Sequence, residues 1–225
     1  MDDVLVRADD VVRVYGTGSR AVRAVSAATF AIEAGQRIAL VGPSGSGKST
    51  LLLLIAGLDA PSSGTLTWPA FGDLGNLRPG PVTIAFQGPS LLPPLNVVEN
   101  VALPLLLEGR AQTEAADAAR VALDLFELGE VAEKLPEEIS GGQAQRAGLA
   151  RAIVGEPRLI LADEPTGQLD HETAGRAMLG LLDAADASGA AVVVATHDPA
   201  IAGTMDAQWR IEAGELRAEV SRCSA

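Results

Sequence analysis

The chain has 225 residues, 48% of them hydrophobic and 20% charged, and 29 acidic against 17 basic side chains give a net charge of -12. This composition excludes a disordered chain; about 70% of the unfolded surface can be buried on folding, and the negative charge argues against a surface that wraps nucleic acid. The single cysteine, Cys223, rules out an intrachain disulfide, and no apolar run approaches the ~20 residues of a membrane-spanning helix.

The opening MDDVLVRADD is acidic and has no apolar secretory core, so the chain is expected to start and stay in the cytosol. Segments 4–6, 11–15 and 24–32 carry β-branched residues in partial alternation and read as strands, interrupted by Gly16-Thr17-Gly18. A short apolar strand follows over 37–41, then GPSGSGKST and an apolar helix to Leu58. Residues 59–64 are turn-forming, 65–68 suit another strand, 69–81 form a Gly- and Pro-rich loop, and 82–86 read as a buried strand.

From Gly88 the texture changes. Pro89, Pro93 and Pro94 break the chain, and 96–107 and 113–128 have helical periodicity. Ser140 is a suitable N-cap for a helix through Ile153. Strand 159–162, helix 173–187 and strand 190–195 then alternate, which implies a parallel sheet covered on both faces. A hairpin about Ala213-Gly214 closes the chain. The architecture expected is an α/β nucleotide-binding core with a mainly helical insertion: one domain over 1–225, in which 1–87 and 138–225 form the core and about 88–137 the insertion.

Three segments carry chemistry. The first, Gly42 to Thr50, matches G-x-x-x-x-G-K-[ST] between a predicted strand and a predicted helix. Its glycines let successive N–H groups converge on phosphate oxygens, and the helix N-terminus adds about half a positive charge. Lys48 is expected on the β- and γ-phosphates and the Ser49 hydroxyl on Mg²⁺, with Ser44, Gly45, Ser46, Gly47 and Thr50 around the phosphates. The second segment places Asp163 and Glu164 at the end of a buried apolar strand, the edge at which α/β sheets bind ligands. Asp163 suits a Mg²⁺ ligand and Glu164 a general base on water, although an acidic turn before Pro165 would read the same in isolation. The third, Ile139-Ser140-Gly141-Gly142-Gln143, is by itself a capped helix N-terminus with two glycines.

Taken together these segments resemble the ATP-binding subunits of ABC transporters, whose signature motif is LSGGQ. The resemblance covers nearly the whole chain. It implies a P-loop NTPase fold with a mainly parallel sheet, an N-terminal antiparallel β-lobe and a helical subdomain. It also implies that Tyr15 stacks on adenine, that Gln87 is a catalytic residue and metal ligand coupling the metal site to the helical lobe, and that Asp170 lies in the segment after the catalytic glutamate. His197 matches the switch histidine. Segments 91–110 and 166–170 look like the branch that serves lipoprotein-release, macrolide-export and cell-division permeases. Gln168 departs from the TGNLD common there, Ile139 replaces leucine, Ala144 stands where glutamine is common, and Gly148 lies within a helix.

The resemblance further implies an ATP-hydrolysing subunit that forms a head-to-tail homodimer. ATP on one copy's phosphate loop is covered by residues 140–143 of the other. Hydrolysis, with Glu164 orienting water and His197 on the γ-phosphate, releases the pair. The partners implied are a second copy and an integral membrane permease, with the membrane reached only through that permease and no nucleic acid bound. The same engine could instead transmit force in a cell-division or wall-remodelling complex without transport. A soluble cassette acting on DNA or ribosomes is disfavoured by the charge and by the absence of coiled-coil heptads.

Overall fold

The computed structural model describes residues 4–88 and 90–219; Cys223 lies outside them. Contacts divide the chain into two compact units, one made of residues 1–77 and 191–225 and the other of residues 78–190. The first unit begins with strands β1 (Val4–Tyr15), β2 (Val22–Glu33) and β3 (Arg37–Val41), helix α1 (Lys48–Ile55) and strand β4 (Ser63–Thr67). The second holds strand β5 (Val82–Ala85), helices α2 (Val97–Leu107), α3 (Gln112–Leu125) and α4 (Gly141–Ile153), strand β6 (Leu159–Asp163) and helix α5 (His171–Ser188). The chain returns to the first unit with β7 (Ala191–Thr196), the single turn α6 (Pro199–Ala202) and the strands β8 (Ala207–Glu212) and β9 (Glu215–Glu219).

In the first unit, β4, β1 and β2 form an antiparallel lobe. β2 meets β9 through one parallel bridge, Ser26 to Glu215, and β9 pairs with β8 in an antiparallel hairpin. β8, β3 and β7 run parallel. Every residue of β7 is buried, as are Ile38, Ala39 and Leu40 of β3, the mark of parallel strands covered on both faces. Leu51, Leu52, Leu54 and Ile55 of α1 are fully buried, each stabilising by about 1.5–3 kcal/mol relative to an exposed position. Trp209 tilts against Phe30 with ring centroids 4.9 Å apart.

Segments 4–6 and 11–15 are not separate strands. One strand runs through them, bent at Asp10, whose φ is 49°. The bend is held by Thr29 Oγ1, which accepts from Asp10 N at 3.0 Å, and by Gly64, whose φ is 84°. A Cβ on Gly64 would lie 2.2 Å from the Asp10 carbonyl oxygen, so no other residue fits beside the bulge. The helix expected to reach Leu58 stops at Ile55. Gly57 takes the left-handed conformation and Leu58 N donates back to the Leu53 carbonyl, a glycine-terminated helix end. Trp68 Nε1 satisfies the Ile55 carbonyl at 2.9 Å.

In the second unit β5 and β6 pair in parallel, and all five residues of β6 are buried. α2 opens on a capping box in which Asn96 accepts from Glu99 N and Glu99 accepts from Asn96 N. α3 ends at Leu125, short of Leu128, because Glu127 adopts the left-handed conformation and Leu128 N turns back to the Leu123 carbonyl. No glycine marks that end in the sequence.

Asn100 on α2 is fully buried. Its side chain accepts from Leu92 N and donates to the carbonyls of Leu92, Leu95 and Asn96 at 2.9–3.1 Å, which fastens the loop before the helix. Asn100→Ala leaves these buried groups without partners, at a cost of about 2–3 kcal/mol. The expected outcome in differential scanning calorimetry is a melting temperature lower by roughly 4–10 °C; an unchanged melting temperature would show that water replaces the amide without loss.

Candidate functional site

The first unit carries the phosphate-type loop, the aromatic Tyr15 and His197. The loop over 42–47 joins the C-terminal end of β3 to the N-terminus of α1. Two of its glycines are fixed by contact: a Cβ on Gly42 would lie 2.1 Å from the Ile211 carbonyl oxygen, and one on Gly47, at φ 111°, 2.1 Å from the Ala24 carbonyl oxygen. The loop is further held by Ser46 N on the Pro43 carbonyl and by Gly214 N on the Ser46 carbonyl. Lys48 is buried, and its ammonium donates to the carbonyls of Gly42 (2.8 Å) and Pro43 (3.2 Å), so it folds back into the ring of the loop. Ser46 Oγ is buried with no hydrogen-bond partner among the described residues. A buried hydroxyl in that state costs free energy unless an outside acceptor or donor meets it. A loop whose Gly42 and Gly47 admit no side chain, a central ammonium and an orphaned hydroxyl fit a polyphosphate. Ser44, Gly45 and Ser49 are exposed at the loop surface and Thr50 is half-buried.

Tyr15, at the end of β1, is 39% exposed. Its hydroxyl donates to Asp59 Oδ2 at 2.6 Å, and the Arg13 guanidinium lies 4.5 Å from the ring centroid. Arg13 also pairs with Asp59 at 2.7 Å, which closes a three-residue cluster. Burial opposes ionisation of Asp59 and is the largest single influence. The Tyr15 hydroxyl, the Ala60 N–H and the Arg13 charge together outweigh it and lower the Asp59 pKa. Neither Arg13 nor Asp59 is singled out by the sequence, because their meeting depends on how β1 packs beside the turn after α1. His197 is exposed just beyond β7; the chain turns there, with Thr196 Oγ1 accepting from Asp198 N and Asp198 capping α6.

The second unit carries the remaining expected residues. Asp163 is buried at the last position of β6 and Glu164 follows at φ 46°, a left-handed conformation uncommon for a glutamate. The Glu164 carbonyl accepts from Gly167 N at 3.1 Å. Ser140 caps α4: its Oγ accepts from Gln143 N at 3.2 Å while Gln143 Oε1 accepts from Ser140 N at 2.9 Å. Gly141 and Gly142 face the turn before α5. A Cβ on Gly142 would meet Leu169 Cδ2 at 3.1 Å, and one on Gly141 would meet Gln168 Oε1 at 2.8 Å. Asp170 is the N-cap of α5 and accepts from Thr173 N at 3.0 Å, a bond that lowers its pKa. Gln87 is exposed at the bend after β5, and Arg151 of α4 holds the loop beyond it by donating to the Ser90 carbonyl and hydroxyl.

Gln145, one turn into α4, joins these segments and was not singled out by the sequence. It is buried, and its amide reaches the carbonyls of Glu164 and Gln87 and the N–H of Gln168. The signal that marks it is a polar residue among the apolar Ala144, Ala147 and Leu149 of a helix. Among the described residues, no three His, Cys, Asp or Glu side chains gather as a metal site. A Mg²⁺ ion that shares nucleotide phosphate oxygens needs only one or two protein oxygen ligands, so such a cluster is not required for it.

Comparison with known proteins bears on the family and the fold. A family model described as ABC transporter matches residues 25–167, more than half of the chain. The lipoprotein-releasing system ATP-binding protein LolD of Chromohalobacter salexigens is 39% identical over 223 residues, covering 96% of this chain and 94% of that protein. LolD of Legionella pneumophila strain Paris is 38% identical, covering 97% and 99%. Among solved structures, a dimeric post-hydrolysis state of the ATP-binding cassette MJ0796 bound to ADP and Pi has a TM-score of 0.90 at 33% identity, covering 98% of this chain and all of that one. The cassette cbiO1 from Clostridium perfringens gives 0.83 at 25% identity, covering 97% and 89%.

The Arg13–Tyr15–Asp59 cluster yields a pH prediction. Asp59 has a lowered folded pKa, so its contribution is present above the ordinary value of 3.8 and is lost as pH falls through the lower folded value. Asp59→Asn is expected to cost about 1 kcal/mol at pH 7, or a few degrees of melting temperature. The gap to wild type should narrow as the pH is taken below 4. A gap that stays constant over that range would show that ionisation of Asp59 plays no part.

Proposed function

The chain belongs to the ABC transporter family of ATP-binding cassettes, and from that premise we propose the roles of its residues and the setting in which it works. It is an ATPase that dimerises around ATP in the presence of Mg²⁺ and drives a separate membrane component. No described helix is long and apolar enough to cross a membrane. In the proposed setting it works at the cytoplasmic face of the cell membrane, held there by an integral permease. Its full-length similarity to lipoprotein-releasing ATP-binding proteins favours an export or extrusion system. Within the single cassette, residues 88–137 are read as the helical subdomain and 1–87 with 138–225 as the core.

The observation that carries the assignment is the loop over 42–48. It combines two glycines at which no side chain fits, a buried hydroxyl awaiting a partner and an ammonium inside the ring. In the proposed scheme Lys48 leaves the Gly42 and Pro43 carbonyls for the β- and γ-phosphates, and Gly42, Ser44, Gly45, Ser46, Gly47 and Thr50 surround the triphosphate. Tyr15 stacks on adenine, its ring braced on one side by Arg13. Ser49, Gln87 and Asp163 hold Mg²⁺, which neutralises charge on the phosphate oxygens. Glu164 takes the proton of the attacking water, and His197 touches the γ-phosphate. Ser140, Gly141, Gly142, Gln143 and Asp170 meet the nucleotide bound to the other copy. The cap of α4 uses only the acceptor oxygens of Ser140 and Gln143, so the α4 end can offer the Ser140 hydroxyl and the Gln143 amide as donors to the phosphate beside its main-chain amides and helix dipole.

Two variants test this reading. Glu164→Gln is expected to lower kcat by about 10²–10⁴-fold and to accumulate as an ATP-bound dimer on size exclusion; a monomer at saturating ATP and Mg²⁺ would contradict the sandwich. Lys48→Ala removes charge-assisted hydrogen bonds to phosphate and should weaken ATP binding about 10–100-fold in titration calorimetry. Unchanged affinity would overturn the loop assignment.

A further inference from the structure

We propose that Gln145 is a positioning residue for hydrolysis: it holds the main chain of Glu164 and ties that residue to the segments at Gln87 and Gln168. The inference rests on Glu164 being the general base. Gln145 is 4% exposed, in a stretch of α4 where Ala144, Ala147 and Leu149 are also buried. Packing alone would be served there by leucine or methionine, and a buried amide is costly unless both of its ends are paired. Here both are. Nε2 donates to the Glu164 carbonyl at 3.1 Å and lies 3.5 Å from the Gln87 carbonyl. Oε1 accepts from Gln168 N at 3.1 Å. The partners fix the orientation of the amide, since a flipped group would set oxygen against two carbonyls and N–H against N–H.

The three partners come from two connections, the one after β5 and the one between β6 and α5. Gln87 follows β5, Glu164 follows β6, and Gln168 lies in the turn that leads to Asp170 and α5. Glu164 stands at φ 46°, where an L side chain is strained and must be held by its surroundings. Its carbonyl accepts from Gly167 N within its own turn and from Gln145 Nε2 of α4. The second is the only one of the two that reports the position of the helix beginning at Ser140. A shift of α4 therefore pulls on the main chain of the residue that must aim at water, and a misplacement of about 1 Å at a reacting group costs about 10²-fold in rate. Gln145 touches neither water nor phosphate in this scheme and acts through Glu164.

The test is steady-state ATP hydrolysis and equilibrium ATP binding by the full chain, comparing wild type, Gln145→Met, Gln145→Glu and Glu164→Gln. Methionine keeps the volume and removes every hydrogen bond; glutamate keeps the acceptor for Gln168 N and loses the donor for Glu164. Both are expected to lower kcat about 10–100-fold, with KM and ATP affinity within about twofold of wild type. The proposal is overturned if folded Gln145→Met retains kcat within about twofold. It is overturned equally if kcat and ATP affinity fall together, or if Gln145→Met cannot be obtained folded, since each marks a purely structural role. Glu164→Gln separates the two levels of the argument. Full hydrolysis by that variant removes the base assignment and this inference with it. Its loss beside an active Gln145→Met removes this inference alone.

Discussion

The first unit is organised around a close approach of backbone to backbone. The turn between β3 and α1 is pressed against the carbonyls of Ala24 and Ile211 so tightly that a single added carbon at Gly42 or Gly47 would overlap them. Those carbonyls belong to β2 and β8, strands from opposite ends of the sequence. The position of the loop thus depends on β2, β3 and β8 all being in register, with Gly214 N closing the contact on Ser46. The sheet is the mould in which the amides of 42–47 are set, and the buried core of β3 and β7 keeps that mould rigid.

Much of this was legible in the sequence because it rests on local pattern. The strand over 37–41 has the bounds read from its apolar run, and the N-cap at Ser140 follows from a serine ahead of two glycines and an Ala-rich helix. The nucleotide-binding reading came from motif and spacing together. What the sequence hid was set by tertiary contact. β1 looked like two strands because Asp9 and Asp10 break its alternation; the bulge survives only because Gly64 and Thr29 receive it. α3 looked longer because Glu127 ends it without a glycine, a backbone choice supported by the Arg146 guanidinium on the Phe126 carbonyl. Asp59 reads as a turn residue until its partners on β1 are known.

Two buried amides play parallel parts in the second unit. Asn100 gathers the main chain of 92–96 at the start of α2, and Gln145 gathers Gln87, Glu164 and Gln168 near the start of α4. Each lies among buried apolar residues of its helix, where polarity is tolerated only because all of its hydrogen-bonding capacity is consumed. Loops between strands and helices have little hydrophobic surface with which to fix themselves. A single side-chain amide, fed from a rigid helix, supplies directional bonds in its place. Asn100 shapes a loop that only has to stay folded, whereas Gln145 grips the residue proposed to do chemistry.

The reciprocal cap at the head of α4 also bears on how this surface can vary among relatives. Ser140 Oγ and Gln143 Oε1 each accept the other's main-chain N–H, and the two positions between them are glycines. The cap uses only the acceptor side of the two groups, so a hydroxyl hydrogen and an amide NH₂ are left over from it. In the proposed dimer the head of α4 would therefore present side-chain donors as well as peptide N–H groups. Replacing Ser140 or Gln143 would then disturb the helix start and the recognition together, because one pair of side chains serves both.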